Sequence, residues 1–172
     1  PWVFNQAGGP LTADLAANKI TYDEAPAPLG AWRYVNFGTN ASNAAVSGDA
    51  ADPDSDRLSN VEEYAFNTDP LAANAAPIVR ASLVATNGAQ FLAMMFPLVT
   101  AASDITYRIE ASTDLQTWLP GCTYSGTNRV TATAHTTEFA RTGAGLETII
   151  VRDNTAVGAA PQRFLRLRVT QP

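Results

Sequence analysis

Beyond Pro77 the chain alternates. Ile105, Tyr107, Ile109 and Ala111 are apolar, and Thr106, Arg108, Glu110 and Ser112 between them are polar. Val130, Ala132 and Ala134 alternate with Thr131, Thr133 and His135, and Leu165, Leu167 and Val169 alternate with Arg166 and Arg168. A strand sends successive side chains to opposite faces, so a period of two predicts strands with one face in a core and one in water. Further strands are expected near residues 78–86, 90–98 and 147–152. Asn87-Gly88, Gly121, Gly126-Thr127-Asn128, Gly143-Ala144-Gly145 and Gly158 mark turns between them. Short strands with regular turns predict a mainly β domain over residues 77–172, an antiparallel β-sandwich of about seven strands.

Upstream, Asp52-Pro53-Asp54-Ser55-Asp56-Arg57-Leu58-Ser59-Asn60-Val61-Glu62-Glu63 follows a different logic. With Asp52 as position 1, carboxylates stand at positions 1, 3, 5 and 12, namely Asp52, Asp54, Asp56 and Glu63. The Leu58 carbonyl is available at position 7 and Asn60 stands at position 9. A tightly wound loop turns alternate side chains toward one point, where a hard cation gathers six or seven oxygens at roughly 2.3–2.6 Å. This is the spacing of a twelve-residue calcium loop of the EF-hand kind, and Ca2+ is the expected cofactor. Position 6 is usually glycine, because the turn there favours φ > 0, but here it is Arg57. Its charge and its strained backbone predict weaker binding than in an ideal loop. Without a metal, the same residues read as an acidic loop leading into a helix cap.

Two helices should flank this loop, giving a small helical segment over residues 29–76. Residues 29–37 can form a helix with Trp32 and Val35 on one face and Gly38 as its stop. Ser59 and Glu62 have capping-box spacing, and Val61, Tyr64 and Ala65 form one apolar stripe. Asn67 suits a left-handed helix end, and Pro70 blocks continuation. Residues 1–28 form an N-terminal extension with apolar Trp2, Val3 and Phe4 and a short extended piece at Ile20 and Tyr22.

The run from Ser47-Gly48-Asp49 through the acidic loop to Glu63-Tyr64-Ala65-Phe66-Asn67-Thr68-Asp69-Pro70, preceded by Phe37-Gly38-Thr39-Asn40, resembles a recurrent module of secreted bacterial proteins. That module is related to the thrombospondin type 3 and dockerin calcium repeats, and a β-sandwich follows its loop. The corresponding strands here are Tyr107-Arg108-Ile109-Glu110-Ala111-Ser112-Thr113-Asp114-Leu115-Gln116-Thr117-Trp118 and Arg163-Phe164-Leu165-Arg166-Leu167-Arg168-Val169. The resemblance covers roughly residues 29–170 and departs from the module at Ser55 and Arg57, where such loops carry Gly. It implies metal ligation by Asp52, Asp54, Asp56, the Leu58 carbonyl, Asn60 (directly or through a water) and Glu63.

Other chemistry has little to build on. A net charge of −5 disfavours nucleic acid and anionic membrane surfaces, and no apolar run is long enough to span a bilayer. The only histidine, His135, is expected on the polar side of a strand, and the single Cys122 in the core. One His and one Cys exclude an ordinary zinc site, and no nucleophile elbow or phosphate loop occurs, so no enzymatic activity is expected. Asp49 and Asp69 read either as extra ligands or as turn and helix-end residues. Trp2, Trp32 and Trp118 read as core or as a sugar platform.

The first residue is Pro1, and lysine is limited to Lys19. Together with a calcium loop of modest affinity, these features predict an exported protein, extracellular or at the cell surface, after removal of a signal peptide. The expected function is a calcium-binding structural subunit that associates with copies of itself in a filament or surface layer. The apolar extension would add a strand to a neighbour's sheet edge. The alternative is a calcium-stabilised carbohydrate-binding or adhesion module, with Trp118 or Tyr124 stacking on a glycan.

Overall fold

A computed structural model of the chain describes residues 11–14, 19–22, 28–126 and 128–171. Strands β1 (Leu11–Asp14) and β2 (Lys19–Tyr22) pair antiparallel with each other, in agreement with an extended piece at Ile20 and Tyr22. Trp2, Val3 and Phe4, on which the strand-donation expectation rests, lie outside the described residues.

Helix α1 (Pro28–Phe37) opens on proline, whose fixed φ and missing N–H suit a first turn. The Leu29 N–H, an orphan donor of that turn, is taken by the Asp104 carboxylate at 2.8 Å. The buried side of α1 carries Leu29, Trp32 and Phe37. Val35 was expected beside Trp32 but is 81% exposed, because that stripe passes it by on the solvent side. A short helix α2 (Ala44–Ser47) follows, capped by the Asn43 side chain accepting from the Ala45 N–H.

Helix α3 (Asn60–Phe66) carries the foreseen capping box, with the Glu62 carboxylate accepting from both the N–H and the hydroxyl of Ser59. Asn67 ends the helix in the left-handed region at φ 57°. Tyr64, Ala65 and Phe66 are buried and Val61 packs beside them.

Eight strands then form two four-stranded antiparallel sheets. They are β3 (Arg80–Thr86), β4 (Ala89–Val99), β5 (Thr106–Ser112), β6 (Leu119–Ser125), β7 (Asn128–Val130), β8 (Thr136–Ala144), β9 (Leu146–Ala156) and β10 (Phe164–Thr170). One sheet has the order β3-β4-β9-β8 and the other β10-β5-β6-β7. Asn87 and Gly88, both at positive φ, make the two-residue turn between β3 and β4. The mainly β, sandwich-like architecture is therefore as the alternation implied.

Two strand readings need correction. Residues 130–135 do not continue as one strand. After β7 only an isolated bridge from Ala132 to Thr137 remains, and His135 sits in the bend before β8. The turn is stabilised locally, the Thr133 hydroxyl accepting from the His135 and Thr136 N–H groups. Likewise β5 ends at Ser112, well before Trp118, because Asp114 accepts from the Gln116 and Thr117 N–H groups and Leu115 adopts φ 62°.

The sheets enclose Phe96, Leu98, Ile105, Tyr107, Ile109, Cys122, Tyr124, Ile149 and Val151, and the helices add Leu29, Tyr64, Ala65 and Phe66 to the same cluster. Asp104 fastens this junction, accepting from the Leu29 N–H and from the Tyr64 hydroxyl, each at 2.8 Å. The helix that follows the acidic loop is thus packed into this common core.

Candidate metal centre

The loop 52–59 is wound by its own carboxylates. Asp52 accepts from the N–H groups of Asp56 at 3.2 Å and Arg57 at 3.0 Å. Asp54 also accepts from Asp56, and Asp56 accepts from Leu58 at 2.8 Å. This winding places Ser55 (φ 64°) and Arg57 (φ 80°) at positive φ, Arg57 at the position where a twelve-residue calcium loop carries glycine. Holding such residues there costs about 1–3 kcal/mol each, so the loop is strained where its sequence departs from the usual pattern.

The result is a cluster of three carboxylates. Oxygens of Asp52, Asp54 and Asp56 all lie within 4.8 Å of one another, a group that could hold a metal ion. At that distance two full charges repel by about 1 kcal/mol even in bulk water. The pKa of Asp54 is raised, by partial burial first, with Asp56 and Asp52 adding to it. That of Asp56 is lowered, because N–H donors from Asn74 and Leu58 stabilise its charge.

Glu63, in the first turn of α3, is fully buried and stands outside that three-carboxylate group, yet near enough to feel the charges of Asp54, Asp56 and Asp52. One of its oxygens meets the Thr68 hydroxyl at a long 3.4 Å, and Oε2 has no partner. Burial, followed by the negative charges of Asp54 and Asp56, pushes its pKa up to about 7. Among the described residues, four buried side-chain polar atoms lack a hydrogen-bond partner, and three of them are Asp54 Oδ2, Asn60 Oδ1 and Glu63 Oε2. Buried polar atoms are almost always satisfied. These three are oxygens of the expected ligand set, and the fourth orphan, Arg33 Nε, lies outside it. Hard, anionic and carbonyl oxygens of this kind fit a hard divalent cation.

Asn60 has a second duty. Its side-chain N–H groups donate to the Val46 and Gly48 carbonyls, each at 2.9 Å, which ties the loop's entry to α2. The Leu58 carbonyl, by contrast, is engaged by none of the hydrogen bonds among the described residues. Asp49 and Asp69 stand outside the cluster. Asp49 pairs with Arg33, and Asp69 accepts from the Leu71 N–H at 3.0 Å in the turn after α3.

Sequence reasoning missed Asn74. Its backbone and side-chain N–H groups both donate to Asp56 Oδ2, at 2.9 and 2.7 Å. It lies 18 residues from Asp56 in an aperiodic stretch, so no local pattern signals it.

The aromatic and thiol candidates are occupied elsewhere. Tyr124 is 1% exposed and donates to Glu138, so it offers no stacking surface. Trp118 is half-buried with the Arg166 guanidinium 4.0 Å from its ring centre, and Arg166 in turn pairs with Glu110. Trp32 packs against Phe37 and Tyr64. Cys122 is buried between the sheets beside Thr136. No helix among the described residues is long and apolar enough to cross a membrane.

No family model, curated protein or solved structure matches the chain.

Proposed function

We propose that this chain is an exported, calcium-binding structural protein in which Ca2+ stiffens the loop joining a helical segment to a β-sandwich. The observation that carries the reading is the buried, unpartnered Oε2 of Glu63 beside three clustered aspartates. A carboxylate placed so needs either a proton or a cation. The ligands would be Asp52, Asp54, Asp56, the Leu58 carbonyl, Asn60 and Glu63. Ca2+ suits the set better than Mg2+, which demands a near-ideal octahedron and keeps several waters. The strain at Ser55 and Arg57 supports modest affinity, which fits a setting where calcium is millimolar.

The protein would act in self-association. Edge strands β3, β8, β10 and β7 leave sheet borders on which a second copy could pair. A glycan-binding role has less support, since Tyr124 is buried and one face of Trp118 carries Arg166.

The test is titration calorimetry with Ca2+ and Mg2+, combined with thermal melting and sedimentation in Ca2+ and in EGTA. Selective Ca2+ binding, a higher melting temperature and assembly support the proposal. A melt indifferent to EGTA refutes the metal role, and a monomer under every condition refutes self-association.

A further inference from the structure

The stretch between α3 and β3 has few anchors. Residues 71–77 are exposed except Asn74, which is half-buried. Among the described residues, the only hydrogen bonds made by residues 73–76 are the two that Asn74 gives to Asp56. Asp56 shares its carboxylate between these donors on Oδ2 and the Leu58 N–H on Oδ1. The same side chain therefore belongs to the acidic cluster and holds the segment that leads into the first strand of the sandwich.

We propose that the metal site is also a clasp: a bound ion fixes Asp56, and Asp56 fixes the entry segment 71–77 through Asn74. The inference rests on the ion-binding reading above and adds a regulatory consequence to it. Without an ion, Asp56 is crowded by Asp52 and Asp54, and this repulsion competes with its hold on Asn74. A cation removes the repulsion and leaves the Asn74 bonds in place. Calcium level would then set how firmly residues 71–77 lie against the loop, and with them the exposed Leu71, which is 57% accessible.

Amide hydrogen exchange of the full chain in Ca2+ and in EGTA, with calorimetry on the same samples, tests this. Exchange across 71–77 should slow at least about fivefold in Ca2+, the ratio that one ordinary hydrogen bond supplies. In Asn74→Ala, which leaves every proposed ligand in place, Ca2+ should still bind but most of that protection should vanish. Calcium binding without slowed exchange in the wild type overturns the clasp and leaves the metal site standing. Equal protection in Asn74→Ala overturns it as well. Absence of Ca2+ binding overturns both readings. The wild-type comparison decides the matter even if the alanine variant fails to fold.

Discussion

Tyr107 of β5 donates its hydroxyl to the Ala65 carbonyl of α3 at 2.7 Å, and its oxygen accepts from the Val99 N–H at 3.2 Å. One buried side chain thus joins the helix that carries Glu63 to both sheets. Tyr107→Phe keeps the ring, which stacks on Phe96, but orphans the buried Ala65 carbonyl and the half-buried Val99 N–H. The expected loss is about 1–3 kcal/mol in denaturant unfolding. A change below half a kcal/mol would show that water replaces the hydroxyl.

Glu63→Gln separates the cost of the site from its benefit. In EGTA the variant should melt at or above the wild type, since it removes a buried carboxyl crowded by Asp54 and Asp56. In Ca2+ the wild type should gain stability and the variant should not. A variant that gains as much from Ca2+ as the wild type excludes Glu63 as a ligand.

The metal-free protein should lose stability as pH rises. The Glu63 carboxyl titrates at about 7 when folded, against an ordinary value of 4.5. The folded state therefore holds this proton more tightly. Its contribution is fully present below the unfolded value and is lost as pH climbs through about 7. Melting in EGTA across this window, with Glu63→Gln as reference, should show a fall confined to the wild type. Calcium affinity should rise over the same window, because the ion displaces the proton. The opposite slope in EGTA would mean that Glu63 is ionised without metal.

Arg57→Gly should help. Arg57 sits at φ 80°, where glycine is unstrained, so relief of about 1 kcal/mol is expected. Removing a positive charge should also tighten Ca2+ binding several-fold. Calorimetry and denaturant melts read both effects, and unchanged affinity would locate the guanidinium's influence away from the ion.

Gly121→Ala should hurt. A Cβ at this position would lie 2.3 Å from the Thr136 hydroxyl oxygen and 2.6 Å from the Ile109 carbonyl. The Thr136 oxygen accepts from the Cys122 N–H at 2.7 Å, so the clash strikes the bond that links β6 to β8. A loss of about 1–3 kcal/mol is expected by urea unfolding, and a neutral result would show that the two sheets shift apart freely here.

What was legible in the sequence was what short-range physics controls. Alternation announced β5, most of β10 and the sandwich, because strand geometry enforces a period of two. The spacing of Asp52, Asp54 and Asp56 announced a converging cluster, and Ser59 with Glu62 announced the start of α3. Asn67 announced its end, since these devices act within a few residues. Strand reading failed at 130–135 and at 113–118, where hydroxyl and carboxylate side chains capture nearby N–H groups and turn the chain. Strands β6 and β8 went unread because their partners, not their own patterns, define them. Only the tertiary structure decided that Val35 faces solvent, that Tyr124 is buried, that Asp104 binds α1 and α3 to the sandwich, and that Asn74 holds Asp56. Each depends on which distant segments meet. Sequence periodicity encodes which side of an element is apolar, whereas burial and hydrogen-bond partners are settled only when the whole chain has packed.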